Sequence, residues 1–292
     1  MSRSKLNALA GAVLVLLALT AAGCGGSNKS AATTPATTTS GGGASIQAPA
    51  AIKSAGKLVF CSDITYPPEE SYKAGTTTPE GSDIDIGNYI AKKMGVTGRF
   101  DNTGFDGIIA ALLAKKCDAI ISGMNDTPAR RKVVSFVDYL KVGQSFMVKS
   151  GNPQNITGLD SLAGKAASVE TGTTNKDFLD AQSKKLVAQG KKAIKVVPFP
   201  KDTDAANALK TGKVDAYFGD APVAAYYIEK DPSSFSIGGT PVNPISIGIA
   251  ILKSDTELQA AVTKAVDAMY ADGTMDKILM TWKLGKAVEK LK

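Results

Sequence analysis

The chain has 292 residues, 43% of them hydrophobic, enough for one large or two medium domains with a real core and too many for a disordered polymer. Its 34 basic and 27 acidic residues give a net charge of +7, but the lysines are scattered among acids and do not alternate with aromatics, so no nucleic-acid footprint is visible. Histidine is absent, which removes Ser-His-Asp and Cys-His catalysis, imidazole zinc sites and histidine proton shuttling. No cofactor or metal is expected.

Arg3 and Lys5 precede an apolar run from Ala8 to Leu19 that is too short for a stable membrane span and reads as a secretory signal. Its end, Leu19-Thr20-Ala21-Ala22-Gly23-Cys24, resembles a bacterial lipobox, with Cys24 as the lipid attachment point. Residues 1–23 are therefore expected to be removed; without Arg3 and Lys5 the 34 basic residues become 32 against 27 acids, or +5. Residues 24–50 are mostly Gly, Ser, Thr, Ala and Pro, a composition that cannot offset its own conformational entropy and predicts a flexible leash.

Beyond the leash the elements alternate. Lys57 to Cys61 predicts a strand, Ile84 to Met94 a helix, and Phe105 to Lys116 an amphipathic helix with Phe105, Ile108, Ile109, Leu112 and Leu113 on its apolar stripe. Ala119 to Ile121 predicts a buried strand whose exit, Ser122-Gly123-Met124-Asn125, offers backbone N–H groups and small polar side chains. Thr127 reads as an N-cap with Pro128 in the first helical position, and Arg130 in that first turn carries a planar fork of donors suited to a carboxylate, whereas Arg131 reads as a surface charge.

The second half echoes the first. ALLAKKCDAIISGMND (111–126) matches ALKTGKVDAYFGDAPV (208–223), and GKLVFCSD (56–63) matches GKAASVETG (164–172). Strand-helix-strand alternation implies parallel sheets, whose ligand crevice lies beyond the carboxyl ends of the strands. All four of these strands end in polar groups: Asp63, Ser122 with Asn125, Gly172-Thr173-Thr174, and Asp220.

Cys61 and Cys117 face an oxidising compartment, so a bridge has to be weighed. If Asp63 and Ser122 mark one level at the strand ends, Cys61 is level with Ile120 and Cys117 lies three residues behind, about 10 Å away along an extended chain. That exceeds disulfide reach and predicts two buried free thiols.

These residues together resemble the bacterial extracellular solute-binding proteins of family 3, the polar amino-acid receptors of ABC importers. The likeness runs from about Gly56 to Gly285 and is carried by SDITYPP, GSDIDI through KKMG, FDGIIAALLAKKCDAIISGMNDTPAR, VVSFVDYL, LAGKAASVETGTT, GKVDAYFGD and ILMTWKLG. It implies an α/β, two-lobed periplasmic-binding-protein-like fold of type II, each lobe a mostly parallel sheet flanked by helices and joined by a two-strand hinge. The first lobe would take residues 51–144 and 246–292, and the second 145–245, with crossings at Gly143-Gln144-Ser145 and Pro244-Ile245-Ser246. By matching position, Arg130 resembles the clamp on a ligand α-carboxylate, helped by Thr174 and amides near Gly123 and Asn125. Asp220 resembles the acceptor of the α-ammonium, with Ser122 or Asn125 assisting. Tyr66 and Phe105 resemble the two rings that sandwich the ligand side chain, although Phe105 also fits the apolar stripe, and Asp63 resembles the group that meets its distal end.

Where relatives usually carry an aromatic or apolar residue after the paired prolines, this chain has Glu69-Glu70, and Glu170 stands near a position that varies in relatives and that the resemblance implies could face the ligand side chain. Acids crowded there favour a basic amino acid; if Glu69, Glu70 and Glu170 point to water, a glutamine-type or broad polar specificity follows. The expected partners are an amino-acid ligand, an ABC permease and its ATPase, and a membrane reached only through the lipid anchor, with the protein a monomer. Rival readings are a cyclohexadienyl dehydratase-like enzyme on the same fold, in which Lys176 would stand where a catalytic acid is required, and a sensing module, against which the absence of a domain after Lys292 argues.

Overall fold

A computed structural model describes residues 46–292. In chain order the elements are α1 (Ala50–Ala55), β1 (Lys57–Ser62), β2 (Ser71–Tyr72), β3 (Pro79–Glu80), α2 (Ser82–Lys93), β4 (Thr97–Asn102), α3 (Ile108–Leu113), β5 (Ala119–Ile120), α4 (Pro128–Arg131), β6 (Val134–Lys149), β7 (Ala166–Glu170), α5 (Thr174–Ala188), β8 (Lys195–Phe199), α6 (Asp202–Lys210), β9 (Ala216–Asp220), α7 (Ala221–Lys230), β10 (Phe235–Ile237), β11 (Val242–Leu252), α8 (Thr256–Ala271), α9 (Thr274–Thr281) and β12 (Val288–Lys290). Short 3₁₀ turns occupy Phe105–Gly107 and Leu159–Leu162.

Ten strands form one sheet, ordered β4-β1-β5-β11-β6-β9-β7-β8, with β10 and β12 also on β6. Two groups of three parallel strands, β4-β1-β5 and β8-β7-β9, flank the long antiparallel strands β11 and β6. Gln144 is the turning point of β6, since it pairs with Val242 of β11 on one side and with Asp220 of β9 on the other. The ladder between β6 and β11 shifts register between Val242 and Ile245, within the region expected to cross between lobes.

Side chains alternate across the sheet, and both faces are covered, as buried parallel strands require. In the first half, Leu58 and Phe60 of β1 join Ala119, Ile249 and Ile251 under α2 and α8, while Cys61, Ile120 and Ala250 face Ile108 and Leu112 of α3. In the second half, Ala216 and Phe218 pack with Leu179 and Leu186 of α5, and Tyr217 with Leu209 of α6 and Val223 of α7.

The sequence echo has a structural cause. The Val59 amide donates to Asp118 Oδ2 at 2.8 Å and the Asp118 amide to the Val59 carbonyl at 2.9 Å. In the second half the Ala166 amide donates to Asp215 Oδ2 at 2.8 Å and the Asp215 amide to the Ala166 carbonyl at 2.9 Å. The recurring Asp-Ala thus fastens each strand to its neighbour at its entry, satisfying backbone groups that the ladder has not yet reached.

Three expectations are corrected. Residues 46–50, assigned to the leash, lie on the first half: the Ile46 amide donates to the Lys93 carbonyl at 3.1 Å and Ala48 is buried. The helix predicted to reach Lys116 stops at Leu113, because Lys115 turns left-handed with φ 56°. That turn also overturns the free thiols. Cys61 is level with Ile120 as expected, but Cys117 sits in a bend and not on an extended strand, and the Cα atoms of Cys61 and Cys117 are 5.6 Å apart in a disulfide.

The bridge closes a loop with a sequence separation of 56 residues, for which chain-entropy arguments give about 4 kcal/mol as an upper figure. The double variant Cys61→Ser, Cys117→Ser is expected to lose roughly 2–4 kcal/mol in denaturant unfolding, with the fold retained by circular dichroism.

Candidate functional site

The carboxyl ends of β1, β5, β7 and β9 converge on one crevice between the two halves. Asp63 follows β1, Ser122 to Asn125 follow β5, Glu170 closes β7 with Gly172 to Thr174 beyond it, and Asp220 closes β9. Asn125 forms an isolated bridge to Ile247 of β11, which holds the β5 exit along the middle of the sheet.

Arg130 lies on the single turn of α4, where Thr127 Oγ1 accepts from the Arg130 amide at 3.1 Å as the predicted N-cap. Its guanidinium donates to the Asn125 carbonyl at 2.8 Å and, across the crevice, to the Gly172 carbonyl at 3.2 Å, and it stands 5.3 Å from the centre of the Phe105 ring. Among the described residues no carboxylate comes within ion-pair distance of it. Burial pulls its pKa down, and the charges of Asp220 and Asp177 push it back up. Arg131 is instead an exposed partner of Asp126.

Asp220 is 2% exposed and accepts from Asn175 Nδ2 at 3.2 Å. Burial raises its pKa to about 6 even though Asn175, Tyr66 and Arg130 favour its charged form. Arg130 and Asp220 therefore face the same space from opposite halves and feel each other's charge without touching.

The remaining predicted residues divide into two kinds. Tyr66, 7% exposed, reaches from the first half into the apolar cluster of Tyr217, Val223 and Ala224 in the second. Thr174 Oγ1 donates to Asn125 Oδ1, another contact across the crevice, while Asn125 Nδ2 has no partner. Glu170 is 3% exposed and its Oε1 has no partner. By contrast, Asp63 is already engaged: Oδ1 accepts from Thr65 Oγ1 at 2.7 Å and Oδ2 from the Phe105 amide at 2.8 Å, so it sets the half-buried Phe105 ring in place. Ser122 Oγ accepts from the Asp63 amide at 2.9 Å and donates its proton to Glu70 Oε1 at 2.7 Å. The Gly123 amide is committed to Asp83 Oδ2 at 2.8 Å. Ser122 and Gly123 thus build the wall of the site, and their donors are occupied within the protein.

Sequence reasoning missed much of that wall. Asp83 also accepts from the Tyr139 hydroxyl, Asp202 from Tyr217 and Tyr227, and buried Gln144 donates to Thr174 Oγ1 at 3.5 Å while accepting from Asn243 at 2.9 Å. Asp83 and Asp202 each open a helix, where an acid is read as ordinary dipole complement, so pattern alone could not mark them as buried. The paired acids after Pro67-Pro68 did carry a signal. Glu69 and Glu70 are 3% and 0% exposed, which rules out the arrangement in which they and Glu170 point to water.

Gly172 has φ +80°, and a Cβ there would stand 2.7 Å from Asp106 Cα of the first half. Glycine supplies both the left-handed backbone and the clearance that lets the two halves approach.

Electrostatically the crevice is acidic. Desolvation raises Asp63, Glu69, Glu70 and Glu170 above the ordinary carboxylate range, and raises Asp83 to about 6 and Asp202 to about 7. Arg130, half-buried, is a cation set against them. Among the described residues no acid cluster has metal-binding geometry.

The model of the bacterial extracellular solute-binding proteins, family 3, matches residues 58–286. The chain belongs to that family. The lysine/arginine/ornithine-binding periplasmic protein of Escherichia coli K12 is 33% identical over 224 residues, 74% of this chain and 83% of that protein. A solved ancestral arginine-binding protein bound to arginine is 36% identical with a TM-score of 0.72, covering 78% of this chain and 98% of its own. Another, an ancestral arginine-binding protein bound to glutamine, is 37% identical with a TM-score of 0.70 over 78% and 97%. The type II receptor fold expected of this solute-binding protein is the one these neighbours share.

The raised acids fix the sign of a pH effect. Asp83, Asp202 and Asp220 are protonated more readily folded than unfolded, so the stability they allow is full below about pH 4 and declines as pH rises through 6 to 7. Surface acids held low, such as Asp272 at about 2, act oppositely but only below about pH 4. The Tm of the ligand-free solute-binding protein should therefore fall by several degrees between pH 4.5 and pH 7.5 in a calorimetric scan; a flat or rising profile would contradict this assignment.

Proposed function

We propose that this chain captures an amino acid with a basic side chain between its two halves and presents it to an ABC importer. The observation that carries the reading is that Arg130 and Asp220, unpaired with each other, face one crevice from opposite halves and share it with a surplus of buried carboxyl groups. A dipolar solute leaving water needs both charges met, because an unpaired buried charge is costly. Arg130 supplies the partner for the α-carboxylate, and Asp220, beside Asn175, the partner for the α-ammonium. Since the two stand on different halves, neither half alone neutralises the solute, and closure is linked to its charge.

Glu170, with its free Oε1, and Asp63 beside Phe105 favour a cationic side chain end over an amide. The arginine and lysine named for the relatives support the same class. The lobes in this reading are residues 51–144 with 246–292, extended back to 46, and 145–245, and the hinge is the stretch around Gln144 and Val242 to Ser246. Binding without turnover is favoured because Lys176, near the position a dehydratase would need for an acid, is an ammonium paired with Asp180 at 2.6 Å. Delivery from the outer face of the membrane rests on lipid attachment at Cys24, which lies outside the described residues together with the 1–23 leader and residues 24–45 of the leash.

In a thermal-shift series over the common amino acids and ornithine, the largest rise should come from arginine, lysine or ornithine. Arg130→Ala and Asp220→Asn should each weaken that ligand by about two orders of magnitude, since each leaves one ligand charge unpaired. A rise with glutamine and none with a basic amino acid would reject the cationic class and leave the zwitterion clamp standing. Gly172→Ala should lower the ligand-free Tm, because φ +80° strains a residue with a Cβ, and should lose affinity as well, because that Cβ meets Asp106 of the other half.

A further inference from the structure

Glu69, like Glu170, is an acid of this crevice with a buried oxygen for which the protein supplies no partner. It sits in the tight turn closed by Tyr66 and Glu70, whose amides and carbonyls exchange hydrogen bonds at 2.9 and 3.0 Å. The turn is anchored from outside, since the Asp83 amide donates to the Glu69 carbonyl at 2.9 Å and the Ser82 amide to the Pro68 carbonyl at 3.0 Å. The position of the side chain is therefore set by backbone and not by surface chance. Its Cγ lies 3.9 Å from where a Cβ on Gly123 would stand, on the side of the Tyr66 ring.

Glu70 next to it has a plain structural task, accepting from Ser122 and tying the β1 and β5 exits together. Glu69 does not. Its Oε2 is buried without a hydrogen-bond partner, and the charges that act on it most strongly are those of Asp83, Asp220 and Asp202, all negative and two of them across the crevice. A buried carboxyl surrounded by others destabilises the ligand-free protein, and an apolar side chain of similar size would relieve that. Such an arrangement is useful when a cation enters and all the acids share it.

Resting on the reading of the crevice as an amino-acid site, we propose that Glu69 is a ligand-facing, specificity-determining carboxylate that acts with Asp220 to select amino acids carrying net positive charge over neutral ones of similar length. Glu170, with its open Oε1, recognises the end of the side chain; Glu69 sets the charge that the closed crevice demands.

The test is Glu69→Gln in the mature protein, freed of bound solute and titrated calorimetrically with arginine and with glutamine. Arginine affinity is expected to fall about tenfold or more and glutamine affinity to hold or rise, so that the ratio of the two collapses, while the ligand-free Tm increases. A structural role would instead lower the ligand-free Tm and weaken both ligands alike. An unchanged ratio, an equal loss for both ligands or failure of the variant to fold would overturn the proposal. If the wild-type protein binds arginine and Arg130→Ala abolishes it while Glu69→Gln leaves the ratio intact, only this inference falls. If the wild-type protein answers to no amino acid, both fall.

Discussion

A charge removed from water must meet an opposite charge, and the crevice of this protein is organised around that requirement. It sets one half-buried guanidinium against a group of buried carboxyl groups, and the protein's own contacts leave Arg130 with carbonyls and several acids with an empty oxygen. Burial makes those acids hold their protons to higher pH than exposed carboxyl groups do. A cationic guest removes the need for those protons. Recognition and the protonation state of the walls are thus one equilibrium.

The fold supplies this arrangement by repetition. Each half places three parallel strands so that their carboxyl ends open on the same space, and each fastens them at the opposite end with an aspartate, Asp118 or Asp215, bonded to the neighbouring strand. The rigid ends are the strand entries; the polar exits are free to vary. This division explains how Asp63 and Glu170, at equivalent exits, have different tasks, one holding Phe105 and the other left with an open oxygen.

The architecture and the principal charges were legible in the sequence because they depend on local pattern. Alternation in LVFCS, the repeat of Asp-Ala, the Thr127-Pro128 cap and the polar strand exits each report a backbone state that a few residues determine. Asp220 was marked by its place at a strand end and Arg130 by the helix start at Thr127-Pro128, both features of local pattern. What stayed hidden depends on nonlocal packing. The Cys61 to Cys117 bridge was lost to an assumption of extended chain where Lys115 turns left-handed, although the strand register used in that estimate was right. The burial of Asp83 and Asp202 depends on tyrosines distant in sequence, Tyr139 and Tyr217, and no spacing rule links them. Gly123 and Ser122 follow β5, but which partner takes their hydrogen bonds could be settled only by seeing Asp83 and Glu70 arrive from another segment.

The single sheet that runs through both halves constrains how they can move. Because β6 is shared, pairing with β11 along one stretch and with β9 along the next, the halves cannot slide past each other without tearing a hydrogen-bonded ladder. What remains is torsion: a change in strand twist concentrated where the ladder already skips between Val242 and Ile245. Gln144, held by Asn243 and bonded to Thr174, ties that stretch of the ladder to the start of α5.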